Sequence, residues 1–252
     1  MTADDHRLAR DLATAAGERL LALRAEGGDP VELRMAGDRS SHEYLMGELT
    51  RLRPGDAVLS EEGKDDKVRL SSDRAWIVDP LDGTREFGEA GRTDWAVHVA
   101  LWERGELTAG AVALPAQQQT LSTADEVPTA DQPAGGPAGK LRIVISRSRP
   151  PSFIARVAEL AHAELVPLGS AGAKAAAVIC GDVDAYVHAG GQYEWDSAAP
   201  VAVAHARGLH ASRIDGSELS YNQEHPWMPD LWVCRSELAG MLLDAIKSAG
   251  GE

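Results

Sequence analysis

Apolar side chains recur at Leu8, Leu12, Ala15, Ala16, Leu20 and Leu23, the spacing of one helix face, which predicts a helix from about Asp4 to Ala25. Gly27-Gly28-Asp29-Pro30 stops it. A second helix is predicted from near Asp38 to just before Pro54-Gly55, with Leu45, Leu49 and Leu52 on one side. The pattern then shortens to runs rich in β-branched and aromatic residues. Strands are predicted at Ala57–Leu59, Ala75–Val78, Trp95–Trp102 and Ala109–Leu114.

Residues 123–139 hold Pro, Gly, Ala and acidic residues without periodicity and read as a mobile connection. Beyond it, a strand is predicted at Leu141–Ile145, helices at Phe153–Leu165 and Ala171–Cys180, and a strand at Val183–His188. A helix of small residues follows at Ser197–Ala206. The order implies an α/β protein, α+β in its first half and α/β in its second. Its portions are read as 1–139 and 140–252, packed as one compact unit.

Composition changes this picture in one respect. Asp and Glu outnumber Lys and Arg 39 to 25 over 252 residues, a formal charge of −14. No basic stripe for a nucleic-acid backbone dominates, so a DNA or RNA polymer is not the expected partner. A phosphorylated substrate would need positive charge supplied locally, by bound cations or by a few placed Lys and Arg. Cys180 and Cys234 are too few and too far apart for a disulfide framework and read as buried, inert thiols. No stretch reaches the roughly 18 consecutive apolar residues of a membrane span, and the N-terminus is polar. A cytoplasmic location and no membrane partner are expected.

The most informative stretch is Trp76-Ile-Val-Asp-Pro-Leu-Asp-Gly-Thr84. An apolar strand delivers Asp79 and Asp82 with Pro80 fixing the backbone between them. Their carboxylates and the Leu81 carbonyl are oxygen donors of the kind a hard divalent cation takes. Gly83 and Thr84 allow a tight turn into a helix start, where free N–H groups favour phosphate. A decorated turn, with Asp-Gly as turn former and Asp or Thr as helix cap, is the plainer reading of the same residues. Ser60-Glu61-Glu62, also at a strand end, and Trp195-Asp196, at a helix start, weigh towards the cation site.

These motifs together, SEE at 60–62, WIVDPLDGT at 76–84 and WDSAAP at 195–200, resemble the inositol monophosphatase superfamily of metal-dependent, lithium-sensitive phosphatases. The resemblance implies a layered αβαβα sandwich. It implies Mg2+ as cofactor, two or three ions with Mn2+ able to substitute. Glu61, Asp79 and the Leu81 carbonyl resemble ligands of a first ion; Asp79, Asp82 and Asp196 resemble those of a second. Glu61 is preferred to Glu62. Asp38, in GDRSSHEYL, matches the family's upstream aspartate, which works with the motif threonine, here Thr84, to activate a water. The resemblance also leaves room for a homodimer.

Within the superfamily the substrate lies among inositol phosphates, sugar bisphosphates and 3'-phosphonucleotides. Gly169–Lys174 resembles the segment that holds the additional phosphate in 3'-phosphoadenosine 5'-phosphate phosphatases, which implicates Ser170 and Lys174. Ser146-Arg147-Ser148 resembles the SRSH segment of the bacterial CysQ branch, with Arg149 in place of its His. His188 stands where inositol monophosphatases carry a glutamate, and imidazole cannot copy a carboxylate's acceptance of a diol. Gly83 and Thr84 are expected on the reacting phosphate. The expected activity is removal of the 3'-phosphate of 3'-phosphoadenosine 5'-phosphate; the alternative is an inositol-1-phosphate, fructose-1,6-bisphosphate or broad-specificity phosphatase. A phosphatase with an aspartyl nucleophile of the haloacid-dehalogenase type fits worse, since its aspartates are two apart and these are three. A metal-dependent nucleotide-binding protein without turnover is the non-enzymatic alternative.

Overall fold

The structure, a computed structural model, describes residues 3–125 and 139–251. Residues 126–138, most of the segment read as a connection, lie outside the described residues. Helix α1 (Ala3–Glu26) buries Leu12, Ala16 and Leu20. Helix α2 (Pro30–Leu52) begins well before Asp38, contrary to the sequence expectation. Asp29 caps it, its side chain accepting from the backbone N–H groups of Val31 at 2.8 Å and Glu32 at 3.2 Å, and Pro30 occupies the first helical position. The first turns carry exposed Val31 and Met35, so no apolar face announces them.

Five strands form the first sheet in chain order: β1 (Ala57–Ser60), β2 (Arg74–Asp82), β3 (Ala96–Glu103), β4 (Glu106–Leu114) and β5 (Gln119–Ser122). Only β1 and β2 run parallel. A short helix, α3 (Thr84–Gly88), follows β2. The second half supplies β6 (Leu141–Ser146), α4 (Ile154–Leu160), β7 (Ala163–Leu168), α5 (Ala171–Ile179), β8 (Ala185–Tyr193), α6 (Glu194–Ala206), β9 (His210–Ser212), β10 (Trp227–Cys234) and α7 (Ala239–Ser248). Its sheet has the order β7-β6-β8-β10-β9.

The helix expected over Phe153–Leu165 ends instead at Leu160, and the chain turns into a strand that the sequence reading missed. His162 is the turning point: its φ of 50° is left-handed and cannot continue a helix. Leu165 then pairs with Ile143 along parallel β6 and β7. Strand β8 also runs on past His188 to Tyr193, and β5, β9, β10 and α7 were not predicted.

The layers follow from which face each side chain takes. Along β2, Trp76 and Val78 join the core under α1 and α2, whereas Ile77 points to the opposite face, as strand alternation requires. That opposite face packs on α5 and α6, which are covered from the other side by Val144, Tyr186, Leu231 and Val233 of the second sheet. Beyond that sheet, α4 and α7 bury Val157, Leu242 and Ile246 against Ile143, Val187 and Trp232. The result is the αβαβα sandwich.

Two helices fit between two sheets because their sequences are small. A Cβ at Gly110 of β4 would come within 2.7 Å of the Ala202 Cβ of α6. Among the described residues no helix is long and apolar enough to cross a membrane. Neither cysteine is in a disulfide, and burial pushes the Cys234 thiol up to about 12.

Candidate active site

Strand β2 does not end straight. Asp79 pairs with His98 and Asp82 with Ala96, so β2 carries one extra residue between the two aspartates. Such a bulge re-aims side chains. Pro80 sits in it, where its missing N–H costs no ladder bond. The buried Ser41 hydroxyl of α2 donates to the Pro80 carbonyl at 2.6 Å, and the Leu81 N–H donates to Asp79 Oδ1 at 3.0 Å. Gly83 then adopts a φ of 84°, and a Cβ there would meet the Ser170 Cβ at 2.8 Å. Only glycine suits both demands.

This geometry gathers Asp79, Asp82 and Asp196, whose nearest carboxylate oxygens all lie within 4.8 Å of one another. Asp196 comes from the first turn of α6, where its Oδ2 accepts the Tyr193 N–H at 2.6 Å. Glu61, on the turn after β1, stands close enough to Asp79, Asp82 and Asp196 for their charges to act on it. Burial, then the neighbouring negative charges, drives Asp79 well above the usual carboxylate range. Glu61 rises to about 7 through burial of its carboxyl end and the charge of Asp196, although the residue as a whole is exposed. Asp196 rises to about 6 through burial and the charge of Asp82. Like charges packed this closely, with oxygen donors only, form a set that fits hard divalent cations.

Asp82 behaves differently. Burial pushes its carboxyl up, but His98, Lys174 and the Gly172 N–H outweigh that and hold it at about 2. Its two oxygens accept the Ala171 N–H at 3.1 Å and the Gly172 N–H at 2.6 Å, both at the N-terminus of α5. His98 Nε2 approaches Asp82 Oδ2 at 3.2 Å, while Nδ1 faces the Trp195 carbonyl at 3.0 Å. Both ring nitrogens thus face acceptors. Burial disfavours the charged ring, but Asp82 and the carbonyl raise its pKa overall. Sequence reasoning missed His98; its signal was a polar residue on an otherwise apolar strand, opposite Asp79.

Asp38 and Thr84 are also brought together. The Thr84 hydroxyl lies 3.3 Å from Asp38 Oδ1 and 3.1 Å from the Leu81 carbonyl, so its single hydrogen serves one of them at a time. Burial and the charge of Glu62 raise Asp38 to about 6, against the Thr84 hydrogen bond and Arg34.

Beside the carboxylates opens a cavity of about 530 Å³. Gly83, Thr84, Ser146, Ser148, Ser170, Lys174 and His188 all line it, as do Glu61, Asp82 and Asp196. Arg147 does not. Its guanidinium donates to Glu86 and Glu89, each at 2.6 Å, and so ties β6 to α3. Lys174 is buried, and its ammonium donates to the carbonyls of Gly169 and Ser170. Burial lowers it to about 8 against the pull of Asp82 and Glu86. His188 directs Nε2 at the Gly191 carbonyl at 3.0 Å, and burial lowers its pKa. Exposed Tyr193 and Trp227, neighbours across β8 and β10, form part of the rim.

A network no motif pointed to holds the start of α6. Buried Glu194 accepts the N–H groups of Asn222 at 2.7 Å and Gln223 at 2.8 Å. Asn222 Oδ1 accepts from buried Arg69 at 2.9 Å, and Arg69 pairs with Asp65 at 2.9 Å. The chain after Glu61 and the helix carrying Asp196 are thereby joined.

Comparison with known proteins places the chain in a family. The family model described as the inositol monophosphatase family matches residues 5–249. The 3'-phosphoadenosine 5'-phosphate phosphatase of Mycobacterium leprae is 54% identical, covering 96% of this chain and 93% of the relative. The 3'(2'),5'-bisphosphate nucleotidase CysQ of Escherichia coli K12 is 30% identical, covering 86% and 94%. Among solved structures, CysQ from Bacteroides thetaiotaomicron superimposes with a TM-score of 0.77 at 28% identity, covering 92% of this chain and 97% of that one. Inositol monophosphatase II of Staphylococcus aureus shares the fold, with a TM-score of 0.80 at 20% identity over 97% and 95%.

Proposed function

The chain belongs to the inositol monophosphatase family of phosphatases, and from that membership we propose that it is a Mg2+-dependent enzyme removing the 3'-phosphate of 3'-phosphoadenosine 5'-phosphate. The observation that carries the reading is the convergence of Asp79, Asp82 and Asp196, of which Asp82 and Asp196 line the large cavity. These three, with Glu61 and the Leu81 carbonyl, are the residues that would hold the cations. Bound there, divalent ions would neutralise the phosphoryl oxygens and make an attacking water more acidic.

The chain's own residues do the rest. Asp38, charged above about pH 6, accepts the Thr84 hydroxyl proton. The Thr84 oxygen is then free to accept a proton from the attacking water. Water oxygen bonds to phosphorus as the bond from phosphorus to the ribose 3'-oxygen breaks, and that oxygen leaves as a hydroxyl by taking a proton from solvent while the attacking water's proton passes through Thr84 to Asp38. Gly83 and Thr84, at the start of α3, line the same cavity, and their N–H groups would suit a phosphate oxygen.

A nucleotide is favoured over a cyclitol by the shape beside the carboxylates. A second cavity of about 290 Å³ adjoins the first across Arg149, His188, Gly190 and Gly191. Pro150, Pro151 and Phe153 line it, an apolar surface suited to a base or ribose. The relatives named for 3'-phosphoadenosine 5'-phosphate support the same substrate.

A substrate panel with Mg2+ tests the reading. The kcat/KM for 3'-phosphoadenosine 5'-phosphate should exceed those for inositol 1-phosphate and fructose 1,6-bisphosphate, and Asp82→Asn should abolish Mg2+-dependent phosphate release. A higher kcat/KM on inositol 1-phosphate would reject the substrate; unchanged release by Asp82→Asn would reject the cation site.

A further inference from the structure

A substrate with two phosphates needs two places of positive charge, and the carboxylate cluster with its cations accounts for one. The other must come from a side chain, because this chain is acidic overall. Four cationic residues stand near the cavity. Arg147 is spent on Glu86 and Glu89. Lys174 is buried, with its ammonium already donating to two backbone carbonyls. Arg85 lies in the first turn of α3, next to Thr84, on the side of the reacting phosphate.

Arg149 differs from all three in position. It is exposed, as Arg85 is, but it alone of the four lines both the main cavity and the adjoining one. Its backbone is anchored, since its N–H donates to the Ser146 hydroxyl at 3.1 Å and Pro150-Pro151 stiffen the chain beyond. Among the described residues no carboxylate lies within ion-pair distance of its guanidinium. A planar fork on a fixed base, with nothing to hold, suits a phosphate accepted through two parallel hydrogen bonds.

We propose that Arg149 is the clamp for the non-reacting phosphate of a bisphosphorylated nucleotide, at the junction of the two cavities. This rests on the nucleotide reading above. It makes Arg149 the residue that separates bisphosphorylated from monophosphorylated substrates, with Lys174 acting mainly on the backbone turn at 169–170.

The test compares kcat/KM on 3'-phosphoadenosine 5'-phosphate with that on 3'-AMP, which keeps the reacting phosphate and lacks the other. The intact enzyme should prefer the bisphosphate, and Arg149→Ala should shrink that preference by about 10- to 100-fold, the loss of a charge-assisted pair. Arg149→Lys should keep part of it. Inhibition by 5'-AMP should weaken about tenfold or more in Arg149→Ala, while inhibition by inorganic phosphate should not follow it. An intact enzyme without preference would reject the substrate reading and the clamp with it. A clear preference that survives Arg149→Ala, or collapses in Arg85→Ala instead, would overturn the clamp alone.

Discussion

Gly172 and His98 fit together only because residue 172 has no side chain: a Cβ there would overlap the His98 Nε2 that faces Asp82. The same glycine donates its N–H to Asp82 at 2.6 Å. Backbone, imidazole and carboxylate therefore share one small volume. Gly172→Ala should destabilise the protein by about 2 kcal/mol, as overpacking does, since His98 is fully buried and has nowhere to move. Urea unfolding would measure it; a stability equal to the parent's would mean that the contact can relax.

His98 should matter to cation binding more than to the fold. Replacing it with Leu removes the imidazole that stands 3.2 Å from Asp82 and the bond to the Trp195 carbonyl, beside Asp196. Loss of a group that orients a ligand typically weakens metal binding about 10- to 100-fold. Calorimetric titration with Mg2+ should show that weakening, with partial recovery in His98→Gln. Wild-type affinity in the Leu variant would refute the role.

Far from the cavity, Asp5 gives a pH-dependent contribution to stability. It is buried, and Arg53 contacts it at 2.8 Å and Arg74 at 3.2 Å. Burial pushes its carboxyl up, but the two guanidinium groups outweigh that and leave it below the usual range. A carboxyl depressed on folding stabilises above its unfolded value, about 4, and loses that contribution as pH falls through its folded value. Asp5→Asn should therefore cost about 2 kcal/mol at pH 7, the loss of charge-assisted hydrogen bonds to two partly exposed guanidinium groups, of which Arg74 keeps Asp56. The difference from wild type should shrink at pH 3. A difference independent of pH would contradict the ion-pair origin.

Much of the site was legible in the sequence because its carboxylates occur at element ends. Asp79 and Asp82 close an apolar strand, Glu61 follows another, and Asp196 opens a helix of small residues, so each leaves a local mark. His98 left a weaker one, a polar residue within the buried part of an apolar strand, and its importance lies in a partner across the sheet. Arg147 and Arg149 are two residues apart and chemically alike; only the fold shows that Glu86 and Glu89 occupy the first. In the fold, α2 began earlier than its amphipathic pattern because Asp29 and Pro30 start it without burying Val31 or Met35. Strand β7 was absorbed into a helix because Ala163 and Leu165 continue the apolar pattern of α4, and the left-handed turn at His162 has no sequence marker as plain as glycine.

The alanine-rich layer between the two sheets separates what can vary from what cannot. Gly110 of β4 has no room for a side chain against Ala202 of α6. The sheet that bears Asp79 and Asp82 is therefore held close to the helix that bears Asp196 by a glycine and an alanine, which leave no room for a larger side chain on β4 at that point. A lineage built on this frame would keep its phosphate chemistry and change its substrate at the rim. Arg149, Tyr193 and Trp227, all exposed there, are where such change would be tolerated.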